Sequence, residues 1–212
     1  MDGNNRWRKS NNLTAFEGYQ KGADKLMKIS NYIFKKYNVA HVSAFALSTN
    51  NLQRSKSHIS TLIKVLNHFL NEFKDHDFYF NINFYGNLNF LNKNIISKIN
   101  QLATNNKKFK HNLNIFINYG GQEDLINALS KIIKNKENCN KKNIIKNLYT
   151  KNLPDPDLII RTGGFKRLSN FLLYQSAFSE IFFLKKLWPD ISTIDINKVI
   201  SSYYMIDRKF GI

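Results

Sequence analysis

The segment VAHVSAFAL at residues 39–47, with SHISTLIKVLNHFLNEF at residues 57–73 after it, decides the fold class. The first is a short apolar run, which predicts a buried strand. The second has apolar residues at helical spacing, and Ser57 is expected to cap that helix. These apolar residues are Ile59, Leu62, Ile63, Leu66, Phe69, Leu70 and Phe73. A buried strand joined to an amphipathic helix is typical of an α/β domain.

The same alternation of strands and helices continues on both sides of this segment. Further strands are predicted at residues 78–85, 113–117, 158–160 and 181–184. Helices are predicted at residues 20–37, about 92–104, after Gly120–Gly121, around 169–179 and about 193–207. The Lys- and Asn-rich residues 134–142 predict a solvated loop. We therefore expect a single α/β domain over residues 1–212, with a mainly parallel central sheet flanked by helices.

The charge of the chain points to an anionic partner without identifying it. Lysine and arginine number 32 against 15 aspartates and glutamates, a formal net charge of +17. The chain is also crowded with Asn, Lys and Ile, so many lysines are interpreted as a compositional bias on a solvated surface. Arginine carries more information, because its planar fork grips phosphate or carboxylate with two bonds. The arginines are Arg6, Arg8, Arg54, Arg161, Arg167 and Arg208.

Composition also excludes several classes of protein and site. A single cysteine, Cys139, excludes an internal disulfide framework and any zinc site built on several thiolates. No apolar run approaches the ~20 residues that a membrane-spanning helix needs. Charge alone would suggest nucleic-acid binding, but no basic helix or aromatic RNA-binding motif accompanies it, so we expect no nucleic-acid partner.

The first polar motif is DGNNRW at residues 2–7. A carboxylate beside a flexible turn and an arginine can hold a magnesium–diphosphate, although a polar N-terminal tail would look similar.

The second motif, STNNLQR at residues 48–54, lies between the buried strand and its helix. Its hydroxyls and amides can bind an oxyanion or simply cap the helix, and capping is the simpler interpretation.

The third motif is the longest, and it runs from LPDPDLIIRTGG at residues 153–164 through RLSNFLL at residues 167–173 to LWPD at residues 187–190. Two arginines and a serine around a Gly-Gly turn predict a diphosphate clamp, and Glu180 is a second candidate metal ligand. All three motifs are expected at strand ends, where ligands of parallel sheets bind. The motifs should therefore meet in one site.

These motifs resemble those of the cis-prenyltransferase family, and within it the bacterial undecaprenyl diphosphate synthases. The resemblance runs from Met1 to Gly211 and includes Gly18–Gly22 (G-x-x-x-G) and NYGG at residues 118–121. It implies an isoprenyl transferase that condenses isopentenyl diphosphate with an allylic diphosphate, usually farnesyl diphosphate, to give a long-chain cis-polyprenyl diphosphate. The product class implied is the undecaprenyl-type lipid carrier used in building bacterial cell walls.

The resemblance also implies a role for each matching residue. Asp2 and Asn51 would be catalytic, Asn51 by helping to remove a proton, and Asp2 and Glu180 would hold Mg²⁺. Gly3, Asn4, Asn5 and Arg6 would wrap the allylic diphosphate, and Arg161, Arg167 and Ser169 would hold the isopentenyl diphosphate. The remaining substrate-binding residues would be Trp7, Tyr19, Ser48, Thr49, Asn50, Leu52, Arg54 and Leu168. The apolar helix at residues 59–73 is a candidate wall for the growing chain, or ordinary core.

Several positions depart from the family pattern. Asn5 stands where the family has a glycine, and Tyr19 stands where it has a histidine. An arginine expected near position 15 is absent, and Ala15 stands there. Leu52 replaces a tryptophan, and Asn50 and Phe165 stand where acidic residues are usual. These changes remove charge and aromatic surface mainly from the allylic site. The alternative function is therefore a non-catalytic or impaired homologue that serves as a partner subunit.

The resemblance also bears on the chain's start, assembly and location. Family members carry a strand that ends in the Met-Asp-Gly-Asn sequence, so we expect the first strand upstream of Met1 and the domain to be N-terminally truncated. Glu180 is expected at the interface of a homodimer. The location implied is the cytoplasm, with peripheral contact to a membrane surface left open.

Overall fold

The computed structural model describes residues 1–53, 55–73, 79–105 and 109–208, which fold as alternating helices and strands. The helices are α1 (Asn4–Ser10), α2 (Ala15–Tyr37), α3 (Lys56–Phe73), α4 (Lys93–Asn105), α5 (Gly121–Lys134), α6 (Lys141–Asn147) and α7 (Thr193–Tyr204). The strands are β1 (His41–Ser48), β2 (Phe80–Tyr85), β3 (His111–Tyr119), β4 (Leu158–Arg161) and β5 (Glu180–Phe183).

Strand pairing confirms the predicted parallel sheet. The order β1–β3–β2 makes one piece with β3 at its centre, and β4 pairs with β5 in a second piece. Every one of these pairings is parallel. Because parallel neighbours point the same way, Ser48 at the end of β1 and Tyr119 at the end of β3 lie at one edge of their sheet piece.

The hydrophobic core forms where the sheet meets α2, α3 and α7. Leu113 and Phe116 of β3 are fully buried, and so is Asn114, as expected for the central strand of a covered parallel sheet. The predicted apolar face of α2 is confirmed by Leu26 and Ile29, both about 95% buried. Most of the predicted stripe of α3 packs into core, as the simpler of the two interpretations expected. Its packed members are Leu62, Ile63, Leu66, Phe69 and Leu70.

The G-x-x-x-G motif explains how α1 lies against α2. A Cβ at Gly22 would come within 2.4 Å of Asn4 Oδ1 and 3.5 Å of the Trp188 ring. Trp188 Nε1 donates a 2.8 Å hydrogen bond to the carbonyl of Gly22. Only glycine permits so close an approach, and the contact places the N-terminal residues beside the LWPD segment.

The start of α2, the cap of α3 and the extent of one predicted loop need correction. The structure starts α2 at Ala15 rather than residue 20, because Thr14 and Glu17 form a reciprocal capping box. Ser57 lies inside α3, so it is not the cap that was predicted. The predicted loop at 134–142 ends in α6, which Asn140 caps by accepting a hydrogen bond from the Asn143 backbone N–H. Residue 78 of the second predicted strand lies outside the described residues.

The predicted helix at residues 169–179 is wrong. Ser169, Asn170 and Leu172 have φ of 51°, 65° and 47°, which a right-handed helix cannot contain. Asn170 fixes this segment to the start of α5, because its carbonyl accepts from Gly121 N–H and its Oδ1 accepts from Gln122 N–H. Residues 169–179 are therefore a series of turns.

The first motif was expected to be a flexible turn, and it is instead mostly the start of α1. Gly3 precedes this helix in the left-handed conformation, and Trp7 N–H donates to the carbonyl of Gly3. The strand predicted before Met1 would lie outside the given sequence and stays a prediction.

Candidate active site

Asp2 is fixed to the end of β4 by its backbone and by its carboxylate. The Thr162 hydroxyl accepts from Asp2 N–H and lies 2.9 Å from the Asp2 carbonyl, and Trp188 N–H also donates to that carbonyl. Arg161 Nη2 donates to Asp2 Oδ2 at 2.9 Å, and Arg6 Nη2 lies 3.5 Å from Asp2 Oδ1. The first and third motifs therefore meet, as the sequence predicted, and Thr162 is a joining residue that sequence reasoning missed.

Arg161 and Arg167 converge on the hydroxyl of Ser169. Arg161 Nη1 donates to Ser169 Oγ at 2.6 Å and to the carbonyl of Arg167, while Arg167 Nε donates to Ser169 Oγ at 3.3 Å. The Arg161 side chain is only 14% exposed, and its Nε is buried without a hydrogen-bond partner among the described residues. Two forked cations and a hydroxyl in this arrangement can accept a diphosphate group.

The second motif forms a short 3-10 helix, Thr49–Gln53, directly after β1. Asn51 Nδ2 donates to Ser48 Oγ at 2.5 Å. Thr49 Oγ1 donates to Glu123 Oε1 at 3.3 Å, and Asn170 Nδ2 donates to Glu123 Oε2 at 2.8 Å. Glu123 thus links the second and third motifs. It was missed because nothing in the sequence marks it among the other acidic residues.

An elongated cavity of about 850 Å³ opens at these motifs. The predicted site residues that line it are Asp2, Gly3, Asn4, Asn5, Tyr19, Ser48, Asn50, Asn51, Arg161, Arg167, Leu168 and Ser169. Apolar residues also line it, among them Leu26, Ile29, Ile33, Leu62, Ile196 and Ile200. Residues 39–48 and 153–162 border it, so it lies between β1 and β4, which do not pair with each other within the described residues. One end can hold an anion and the rest an apolar chain.

The other predicted site residues lie outside this lining. Trp7 Nε1 donates to Asp190 Oδ1 at 2.6 Å, and Leu52 packs against the core. Arg6 faces the Gly163 carbonyl, to which its Nη2 donates at 2.7 Å. Thr49 is turned to Glu123, as described above. Arg54 lies outside the described residues.

Glu180 and Asp2 do not meet within one chain. Glu180 pairs with Leu158 at the start of β4, whereas Asp2 contacts Arg161 and Thr162 at its end. Leu158 and Arg161 are three positions apart along β4, which corresponds to a distance of about 10 Å. Within the described residues, no three His, Cys, Asp or Glu side chains gather into a metal-binding group. The Asp2 carboxylate beside the arginines suits a Mg²⁺ ion that also binds substrate phosphates.

His58 of α3 supplies an imidazole beside Tyr19. Tyr19 Oη lies 3.5 Å from His58 Nε2, the two rings meet edge to face at 5.5 Å, and both residues line the cavity. An imidazole is thus present beside Tyr19, but His58 of α3 supplies it. Sequence reasoning did not single out His58, because it lies four residues beyond the second motif.

A buried carboxylate supports the cavity wall from behind. Asp124 of α5 is 1% exposed, and its Oδ1 accepts from Tyr149 N–H at 2.8 Å. Burial raises the pKa of Asp124, and burial together with the nearby charge of Asp124 raises the pKa of Tyr119. Next to them Gln175 Nε2 donates to Thr150 Oγ1 at 2.7 Å, and both of these residues line the cavity. This network fixes the segment before β4 to α5.

Comparison with known proteins gives a family match over nearly the whole chain. The family model described as "Putative undecaprenyl diphosphate synthase" matches residues 1–211. An isoprenyl transferase of Rickettsia typhi is 39% identical, and the alignment covers 100% of this chain and 95% of that protein.

Two solved structures are similar across most of their length. Lavandulyl diphosphate synthase from Lavandula x intermedia, in complex with dimethylallyl diphosphate, has a TM-score of 0.86 and 27% identity, covering 100% of this chain and 95% of the other. A probable undecaprenyl diphosphate synthase from Campylobacter jejuni has a TM-score of 0.80 and 30% identity, covering 91% and 92%.

Proposed function

Because the chain belongs to the undecaprenyl diphosphate synthase family of prenyltransferases, we propose that it condenses isopentenyl diphosphate with an allylic diphosphate. The allylic substrate proposed is farnesyl diphosphate. The product proposed is a long-chain cis-polyprenyl diphosphate of the undecaprenyl type. The observation that carries this proposal is the convergence of Asp2, Arg161, Arg167 and Ser169 at a cavity that apolar side chains such as Leu26, Ile29 and Leu62 also line.

The reaction breaks an allylic carbon–oxygen bond while the double bond of isopentenyl diphosphate attacks that carbon. Diphosphate leaves with the electron pair, and loss of one proton from the new chain creates the next double bond. Asp2 would hold a divalent cation, Mg²⁺ in our proposal, whose charge offsets that of the leaving diphosphate. Arg6 lies beside Asp2 and adds a second positive charge. Loss of one such contact costs on the order of 3 kcal/mol in the transition state.

The two substrates are assigned to two sides of the cavity mouth. Arg161, Arg167 and Ser169 would bind the diphosphate of isopentenyl diphosphate, because their donors converge on one point. Asn51, held by Ser48, would help to carry the proton away. The allylic tail would extend past Leu26 and Leu62 into the apolar part, where exclusion of water protects the cation.

We also propose that the enzyme works as a homodimer. Ile126 and Ile133 of α5 are 64% and 77% exposed and share a face at a spacing of seven residues. In β5, Ile181 and Phe183 are each 37% exposed, close to Glu180. A second copy that covers such apolar surface could bring its Glu180 towards Asp2. Sedimentation equilibrium should give twice the chain mass, and a monomer at assay concentration would contradict the proposal.

The site of action proposed is the cytoplasm, with peripheral contact to the membrane that holds the product. None of the helices in the described ranges combines the length and apolar composition that crossing a bilayer requires. The protein should float with vesicles of anionic lipid if it binds the membrane surface. Protein that stays at the bottom of the gradient would contradict peripheral binding.

Incorporation of radiolabelled isopentenyl diphosphate, with farnesyl diphosphate and Mg²⁺, tests the function directly. The wild-type protein should give labelled product, and Asp2→Ala should lower turnover at least a hundredfold. Asp155→Ala is a matched control, because Asp155 borders the cavity but belongs to neither proposed diphosphate site. No incorporation by folded wild-type protein would contradict catalysis and favour the partner-subunit alternative.

A further inference from the structure

Phe165 stands at the centre of three guanidinium groups. The guanidinium carbons of Arg167, Arg6 and Arg161 lie 4.3, 5.0 and 5.9 Å from the centroid of its ring. The residue follows the Gly163–Gly164 turn, and it is 41% exposed. An isolated exposed aromatic needs no explanation, but one that contacts three site arginines does.

These three arginines carry more positive charge than the protein itself neutralises. Asp2 is the carboxylate that pairs with Arg161 and Arg6, at 2.9 and 3.5 Å. Three like charges within one small site repel one another before a substrate binds. Hydrogen bonds to the Gly163 carbonyl and to Ser169 Oγ hold Arg6 and Arg161, and a further contact that attracts cations would help to keep all three guanidinium groups in place.

An aromatic face can do this without cancelling charge. Its quadrupole attracts a guanidinium, and the guanidinium keeps its full charge for an incoming anion. A carboxylate at the same position would hold the arginines equally well, but it would compete with the diphosphate for them. The phenyl ring thus orders the arginines and leaves the site strongly positive.

Arg167 depends on the ring most. Its guanidinium lies nearest the centroid, and the hydrogen bond from its Nε to Ser169 Oγ is long, at 3.3 Å. Arg161, in contrast, has a short bond to Ser169 Oγ and an ion pair with Asp2. Loss of the ring should therefore release Arg167 first.

We propose that Phe165 is a positioning residue for diphosphate binding, which acts by holding Arg6, Arg161 and Arg167 in a converging arrangement. This inference rests on the proposed function, and it adds a residue that departs from the family pattern. Phe165 itself contributes no hydrogen bond to the substrate. Because Arg167 is released first, loss of the ring should lower the affinity for isopentenyl diphosphate more than the rate of the chemical step.

The test is calorimetric titration of the full chain with inorganic pyrophosphate, which needs no turnover. Phe165→Leu should weaken binding about fivefold, because leucine keeps apolar bulk but has no π face. Phe165→Trp should restore affinity to within about twofold of wild type. Phe109→Leu is the matched control: Phe109 is 39% exposed, precedes β3 and should bind as wild type.

Steady-state kinetics provide the second measurement. Phe165→Leu should raise the KM for isopentenyl diphosphate about fivefold, with a smaller effect on kcat. Equal pyrophosphate affinity of wild type and Phe165→Leu would overturn this inference and leave the proposed function standing. Failure of the wild-type protein to bind pyrophosphate at all would overturn both.

Discussion

At the scale of single residues, Gly163 is where backbone conformation and site geometry constrain each other most closely. Its φ is +88°, and a Cβ there would lie 2.6 Å from Arg6 Nη2 and 3.1 Å from Asp2 Cβ. The neighbouring Gly164 has nearly the same φ, +85°, but its Cβ would meet only the Lys185 carbonyl at 3.9 Å. The pair therefore separates two effects, backbone strain and contact with the site.

We expect Gly163→Ala to lower kcat/KM about a hundredfold, because it displaces Arg6 and Asp2. Gly164→Ala carries the same backbone penalty and should lose much less activity. Steady-state kinetics on both variants, with circular dichroism to confirm folding, provide the comparison. Equal losses in the two variants would show that strain, not contact with Asp2 and Arg6, explains the glycine.

Single residues could be predicted from the sequence where they belong to a motif. Asp2, Arg161 and Ser169 were singled out by charge and spacing, and the structure brings them together. Thr162 and Phe165 lie in or beside the third motif, but their contacts with Asp2 and Arg6 of the first motif follow from no local pattern. Such partners become visible only once the chain has folded.

At the scale of elements, strong periodicity predicted well and weak polar segments did not. The apolar stripes of α2 and α3 are regular, and both predicted helices are present, although α2 starts at Ala15 rather than residue 20. Residues 169–179 also have helical composition, but hydrogen bonds that Asn170 accepts from Gly121 and Gln122 N–H of α5 hold them in turns. Tertiary contacts outweigh local propensity there, because propensity differs by only ~0.7 kcal/mol per residue among ordinary residues.

The start of α7 carries a pH-dependent contribution to stability. Asp195 pairs with Lys186 at 2.8 Å and accepts hydrogen bonds from the Ser192 hydroxyl and N–H. The hydrogen bond from the Lys186 ammonium lowers the pKa of Asp195 from 3.8 to about 2, and the hydrogen bond from the Ser192 hydroxyl makes the second-largest contribution. A lowered carboxyl pKa stabilises the folded state above pH 4, and this contribution is lost as pH falls from about 4 to about 2.

Asp195→Asn keeps an acceptor for the Ser192 cap but removes the titrating charge. We expect the free energy of unfolding of wild type to fall more steeply than that of the variant between pH 5 and 2. Urea unfolding at closely spaced pH values measures this difference. Parallel curves for the two proteins would contradict the assigned role of Asp195.

At the scale of the whole molecule, the sheet and helices bring three distant motifs to one end of an apolar cavity. The parallel sheet explains why this convergence could be predicted, since its strand ends meet at one edge. The cavity wall could not be predicted residue by residue. Of the α3 stripe, Leu62 lines the cavity, whereas Ile63 packs against α4.

Leu62 therefore offers a test of the path proposed for the growing chain. Leu62→Trp should narrow the cavity and shift the products to shorter prenyl chains, with the initial rate little changed. Ile63→Trp adds the same bulk one residue away and outside the cavity, so its products should keep the wild-type length. Chromatography of the dephosphorylated products measures the distribution. An unshifted distribution for Leu62→Trp would place the growing chain elsewhere.

The central claim is that Asp2 and the arginines at residues 161 and 167 hold diphosphate at the mouth of the apolar cavity. A crystal structure with Mg²⁺ and an unreactive thio-analogue of farnesyl diphosphate tests it most directly. We expect a diphosphate beside Asp2 and a hydrocarbon tail along Leu26 and Leu62. A diphosphate bound away from Asp2, or a tail lying on the outer surface, would contradict it.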